Sequence, residues 1–228
     1  MIAIDGVDTA TVATHVLRRK MAIIPQDPTL FSGTLRSNLD PFHDAHTNTN
    51  TANDRDLWRV LKQTSLAKAV KLWGGLDASV SECGENISVG QRQLLCLARA
   101  LLQRSAILCL DEATANVDRA TDRDIQETLR RAVRRQKDGK GGVTLIVVAH
   151  RVDTIMDLDQ LLVLQDGRVV EEGAPRDLAK NQAGLFGQQV RAARLITDAA
   201  RREGHPHGSS SPIHTDTHTV LVDTQSDP

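Results

Sequence analysis

The sequence contains no tyrosine, and its aromatic residues stop at Phe31, Phe42, Phe186, Trp58 and Trp73. So few rings exclude a surface that stacks successive bases of a single strand. An excess of one charge is also lacking: 28 Lys and Arg stand against 29 Asp and Glu, a formal net charge of -1. That balance excludes holding nucleic acid or an anionic membrane by bulk attraction. Cysteine is sparse and odd in number, Cys83, Cys96 and Cys109, with no C-x-x-C pair. Neither a disulfide framework nor a zinc site follows, and a reducing cytosol is the simple expectation. Cys96 and Cys109 lie in apolar stretches and read as small core residues. Long apolar runs are missing as well. Crossing a bilayer takes about 20 apolar residues, and the best run, Val143 to Ala149, has seven with Thr144 inside it. The first ten residues, MIAIDGVDTA, lack the basic start and apolar stretch of a secretory signal.

What is present is enough for one sizeable core: 40% of the 228 residues are hydrophobic. Residues 1–202 are expected to form one compact α/β domain. Ile2 to Ile4 reads as a strand ending at the turn Asp5-Gly6, and Met21 to Ile24 as a second, stopped by Pro25. Residues 43–53 are polar and loop-like. Asp54 opens a helix with Leu57, Val60 and Leu61 on one face, and Gly74-Gly75 breaks the next helical stretch. Leu94, Leu97, Ala98, Leu101 and Leu102 recur at helical spacing. A four-residue apolar run, Ile107 to Leu110, then ends in Asp111-Glu112. A helix over residues 121–136 carries acids in its first turn and bases in its last, which suits the helix dipole. Val143 to Val148 reads as a buried strand, and this strand–helix–strand order implies a parallel sheet with covered faces. Asp166-Gly167 joins two further strands as a hairpin. Residues 203–228, rich in Ser, Thr, Gly and Pro and without Lys or Arg, are expected to be a disordered tail. It holds His205, His207, His214 and His218, as metal ligands or simply as part of a polar tail.

In a parallel sheet, ligands sit beyond the carboxyl ends of the strands. Ile107 to Leu110 would deliver Asp111 and Glu112 to that edge. One carboxylate can hold Mg²⁺, and the other can orient or deprotonate a water that attacks a phosphate. A buried strand followed by an acidic helix start explains the same residues. Upstream, Ser88 with Gln91 three positions later matches a capping box. Ser88 does no more than that on one reading. On another, the helix start with Gly90 admits an anion to the backbone.

Taken together, these segments resemble the ATP-binding cassette transporters. Ile87-Ser88-Val89-Gly90-Gln91 is similar to the family's signature motif, and Leu108 to Glu112 to its Walker B strand with catalytic glutamate. Ala115-Asn116-Val117-Asp118 resembles the D-loop, Ala149-His150-Arg151 the switch histidine, and Ile24-Pro25-Gln26-Asp27-Pro28 the Q-loop. All five occur in the family's order over roughly residues 1–180. Phe31 to Phe42, and Val89 where the signature usually has Gly, resemble the second nucleotide-binding domain of subfamily C, the multidrug-resistance-associated exporters. Cys83 departs from the pattern, standing where the family usually has Gly before Gly84-Glu85-Asn86.

The resemblance implies a P-loop NTPase-like α/β fold, a parallel sheet core with an inserted helical subdomain over residues 34–104. It implies ATP and Mg²⁺ as cofactors. Asp111 and Gln26 would hold Mg²⁺, Glu112 would be the general base and His150 would contact the γ-phosphate. As an alternative, His150 is simply a polar residue at a strand end. Ser88, Val89, Gly90, Gln91 and Asp118 would act on ATP held by a second nucleotide-binding domain. The other partner would be the transmembrane domain of an exporter, with this domain on the cytosolic face and no nucleic acid involved. The family's phosphate loop, G-x-x-x-x-G-K-[ST], does not occur: the one Gly-Lys pair, Gly139-Lys140, is followed by Gly141 and lies after Walker B. A domain lacking its first strand, phosphate loop and helix is therefore expected, inactive by itself, with those parts encoded upstream of Met1. A soluble cassette ATPase is the competing enzymatic reading, set against by Leu39-Asp40-Pro41-Phe42 and by Val89. A non-catalytic module that lends its signature to a partner cassette is the non-enzymatic one.

Overall fold

The computed structural model describes residues 2–41, 52–111, 119–135, 143–149, 152–202 and 217–223. The chain divides into two compact units, Met1–Val143 and Thr144–Pro228, where the sequence suggested one domain over residues 1–202.

The first unit begins with a small hairpin, β1 (Ala3–Ile4) and β2 (Val7–Asp8). Asp5 and Gly6 both adopt positive φ at its turn, which is why Asp-Gly is the signal there. Helix α1 (Thr14–Lys20) leads into β3 (Met21–Ile24), which Pro25 ends. A two-residue strand, β4 (Gly33–Thr34), opens α2 (Leu35–Leu39), capped reciprocally by Thr34 and Ser37. Next come α3 (Asp54–Gln63) and α4 (Ala67–Trp73), the latter stopped by Gly74 at φ +110°. The short β5 (Ser79–Val80) pairs with β4. Helix α5 (Val89–Gln103) is the longest of the unit's helices up to this point. It packs against α3 and β3, and Leu94, Leu95, Leu97 and Ala98 of α5 and Leu57, Val60 and Leu61 of α3 are buried. The β6 strand (Ile107–Asp111) pairs with β3 in parallel, Ile24 opposite Leu110, and α6 (Arg119–Arg135) completes the unit.

The second unit contains β7 (Thr144–Val148), α7 (Val152–Ile155), β8 (Gln160–Gln165), β9 (Arg168–Gly173), α8 (Pro175–Leu178), α9 (Leu185–Arg202) and β10 (Thr217–Asp223). The β8–β9 hairpin turns at Asp166-Gly167, again with both residues at positive φ. Glu171 of β9 caps α9, accepting from the backbone N–H of Leu185 at 2.6 Å and of Phe186 at 3.2 Å. The expectation of a wholly disordered tail over residues 203–228 fails at β10. That strand pairs antiparallel with β7 on one side and with β8 on the other. The polar composition hid a seven-residue stretch, THTVLVD, whose hydrogen-bond partners lie more than 50 residues away. Because β7 and β8 both run against β10, they run parallel to each other. No helix among the described residues is long and apolar enough to cross a membrane.

Candidate nucleotide site and signature helix

The parallel register sets the first half of the site. Ile24 and Leu110 are paired, so Asp111, the last residue of β6, and Gln26, two residues past β3, stand at the carboxyl ends of two neighbouring strands. Both are exposed. This is the edge at which parallel sheets bind ligands. An aspartate and an amide carbonyl are hard oxygen donors, and Mg²⁺ is commonly held by one or two carboxylates with water and substrate phosphates completing its shell. The donor set therefore fits that ion. Among the described residues no three His, Cys, Asp or Glu side chains gather into a cage for a metal. Cys109 lies two residues before Asp111, and burial pushes its thiol up from the ordinary value, as it does for Cys96. Both thiols are thereby kept neutral, in keeping with small core residues.

The second half is the start of α5. Ser88 Oγ accepts from the Gln91 backbone N–H at 3.3 Å, and the Ser88 N–H donates to Gln91 Oε1 at 3.1 Å. The capping box expected from the sequence is formed. Ser88 and Val89 are exposed, while Gly90 and Gln91 are half-buried. Gly90 has a packing reason of its own. A Cβ there would stand 3.1 Å from Thr121 Cγ2 and 3.2 Å from Thr121 Oγ1 of α6. Upstream, the loop is braced from several sides. Arg92 Nη1 donates to the carbonyls of Gly84 at 3.1 Å and Ile87 at 3.0 Å. Asn86 Oδ1 accepts from both the N–H and the hydroxyl of Ser81, and Asn86 Nδ2 donates to Ser79 O. These bonds fix where the chain enters the helix, and with it the position of Ser88.

A family model described as ABC transporter matches residues 1–115, half of the chain. The chain belongs to the ABC transporter family. ATP-binding cassette sub-family C member 2 of Rattus norvegicus is 47% identical over 186 residues, covering 81% of this chain and 11% of its own length. ABC transporter C family member 3 of Dictyostelium discoideum is 50% identical over 190 residues, covering 83% of this chain and 12% of its own. A solved structure titled as a bacterial Atm1-family ABC exporter with ATP bound aligns with a TM-score of 0.72 at 34% identity, over 83% of this chain and 31% of that one. The chain thus spans about a tenth of the length of the curated relatives it matches. The α/β fold and the sub-family C resemblance agree with these findings.

Of the ABC residues singled out in the sequence, Gln26, Ser88, Val89, Gly90, Gln91 and Asp111 lie in described segments. Glu112, Asp118 and His150 lie outside the described residues. One residue of the stretch Ser88 to Gln93, which matches the family, is given no role by the motifs. Gln93, two positions beyond the signature, is 2% exposed, and its Nε2 donates to Pro25 O at 3.3 Å and Gln26 O at 2.6 Å. Arg99, two turns along, donates to Asn38 O at 2.8 Å and to Thr29 O at 3.4 Å. A glutamine buried within the leucine-rich α5 was the available signal, since such a residue needs partners.

Proposed function

We propose that this chain is part of the ATP-binding and ATP-hydrolysing domain of a sub-family C membrane exporter, the second nucleotide-binding domain, coupling hydrolysis to transport. The observation that carries this reading is the pairing of β3 with β6, which sets Gln26 and Asp111 at one carboxyl edge. Asp111 and Gln26 would hold Mg²⁺ there, which would supply positive charge to offset that of the phosphates. Glu112, next in sequence, takes the proton of the attacking water, and His150 contacts the γ-phosphate. Ser88, Val89, Gly90, Gln91 and Asp118 serve the ATP of a second nucleotide-binding domain. Residues 34–104 form the helical subdomain, and the transmembrane domain of the exporter is the other partner. The working place of the domain is the cytosolic face of a membrane.

The 228 residues hold no G-x-x-x-x-G-K-[ST], and in phosphoryl transfer positioning supplies most of the catalysis. The purified chain should therefore release no phosphate from Mg-ATP. Joined behind a strand, a G-x-x-x-x-G-K-[ST] loop and a helix of the family's kind, it should turn over when dimerised. In that protein Glu112→Gln should keep ATP binding and lose about 10²-fold or more in kcat, since a general base acts on rate rather than affinity. Near-normal turnover in Glu112→Gln would overturn the assignment. The same missing motif favours a second reading for the chain acting alone, a module that lends Ser88 to Gln91 to a partner cassette. Stimulation of a signature-defective cassette by the unextended chain would support it.

A further inference from the structure

We propose that Gln93 is a positioning residue, which holds the backbone at Pro25 and Gln26 and so makes the Gln26 segment move as one body with the signature helix α5. Its side-chain amide spans two elements 67 residues apart in sequence and bonds nothing but main chain, the carbonyls of Pro25 and Gln26. An amide facing two carbonyl oxygens can present only its NH₂ group, so its orientation is set. Its Oε1, turned the other way, is buried and makes no hydrogen bond. The side chain is therefore retained for its two donated bonds, since the rest of its polarity is a burden in an apolar surrounding.

The link does not stand alone. Along the same helix Cys96 Sγ lies 3.9 Å from Thr29 O, Arg99 donates to Thr29 O and Asn38 O, and Gln103 donates to Arg18 O and Met21 O. Asn38 in turn clasps Phe31, its Oδ1 accepting from the Phe31 N–H at 2.8 Å and its Nδ2 donating to Phe31 O at 2.8 Å. The Arg99 guanidinium also stands 5.8 Å from the Phe31 ring centroid. From Arg18 to Asn38, α5 grips the chain through its carbonyls. Carbonyl capture fixes the path of a backbone whatever its side chains are. The one element of this set that reaches Gln26 itself is Gln93, and it lies five residues from Ser88. A displacement of the signature end of α5 is then passed to the backbone at Gln26 through the Gln93 side chain.

What this means for Mg²⁺ and water at Gln26 rests on the function proposed above; the mechanical link does not, and the test reads the link alone. Backbone ¹⁵N relaxation of the 228-residue chain compares the native sequence with Gln93→Met, which keeps length and volume and removes both bonds. Order parameters at Gln26 and Asp27 are expected to fall from near ~0.85, the rigid range, to below ~0.6, while those in α3 stay unchanged. A role in filling space would leave Gln26 as ordered in Gln93→Met as in the native chain, and that result overturns the proposal. A second measurement needs no variant. The Gln93 side-chain NH₂ protons should exchange with solvent at least ~100-fold more slowly than those of the exposed Gln188, and equal rates would overturn the proposal as well. A failure of ATP turnover in the extended domain, with the order parameters as expected, would count against the proposed function and not against the link.

Discussion

Cys83 stands at φ +53°, a left-handed conformation that a side chain with a Cβ adopts at a cost of about 1–2 kcal/mol. The family usually carries glycine there, and the geometry gives the reason. Gly84 beside it, at φ +69°, is more tightly constrained: a Cβ would come within 2.8 Å of Leu30 Cδ1 and 2.9 Å of Arg92 Cδ. The exposed thiol of Cys83 is thus a tolerated strain in a loop whose shape is imposed by Asn86, Ser81 and Arg92. Replacing Cys83 by Gly relieves that strain and gives back part of the gain as unfolded-state entropy. A net stabilisation of about 0.5–1 kcal/mol is expected, read from the urea midpoint at unchanged slope. Gly84→Ala should instead cost about 2 kcal/mol or more, because the backbone and a packed leucine both oppose it.

Between elements, contact geometry decides what residue type alone leaves open. Gly90 lies in the first turn of α5, where alanine would gain about 0.8–1 kcal/mol of helix propensity. The approach of Thr121 from α6 cancels that gain. Gly90→Ala should therefore destabilise the native chain by about 1 kcal/mol but be neutral or stabilising in a Thr121→Ala background, a non-additivity that a double-mutant cycle measures. An ion pair also links α2 to α3. Arg36 makes an ion pair with Asp54 at the start of α3 and another, at 3.0 Å, with Asp77. The hydrogen bond from Arg36 holds the Asp54 carboxyl below its ordinary value of 3.8. A lowered folded-state value means that the pair contributes fully above the ordinary value and is lost as pH falls through the lowered one. The stability difference between the native chain and Arg36→Met should therefore shrink from pH 5 to pH 2 in urea titrations. Asp54 is exposed, so water and salt keep the effect small.

On the scale of the whole molecule, the strand built from the C-terminal residues is the main departure from expectation. β10 fills the place between β7 and β8, and its removal would expose the hydrogen-bonding groups of two parallel strands at once. Unpaired strand edges recruit other chains. A protein ending at residue 216 should lose amide protection over Leu145–Val148 and Gln160–Gln165 by about tenfold or more and should associate with concentration in sedimentation. Unchanged exchange in β7 and β8 would show that the strand adds nothing to the second unit. Protection in β3 and β6 of the first unit serves as the internal reference.

Local signals sufficed for much of this protein. The apolar run ended by Pro25 marked β3, the Ser88–Gln91 spacing marked the start of α5, Ile107 to Leu110 marked β6, and Asp166-Gly167 marked the last hairpin. Each depends on neighbours a few residues apart, through caps, turn φ values and the alternation of buried faces. The order of Gln26, Ser88, Asp111, Glu112, Asp118 and His150 carried the family resemblance for the same reason, because motifs are contiguous. Tertiary structure alone decided the rest. Pairing of β3 with β6 brought Gln26 and Asp111 to one edge, Thr121 supplied the reason for Gly90, and Gln93 found its carbonyls 67 residues away. Helix α9 needed Glu171 at its start, and β10 needed β7 and β8 on either side. A strand or a buried amide is stable only with partners distant in sequence, and composition holds no record of which partners those are.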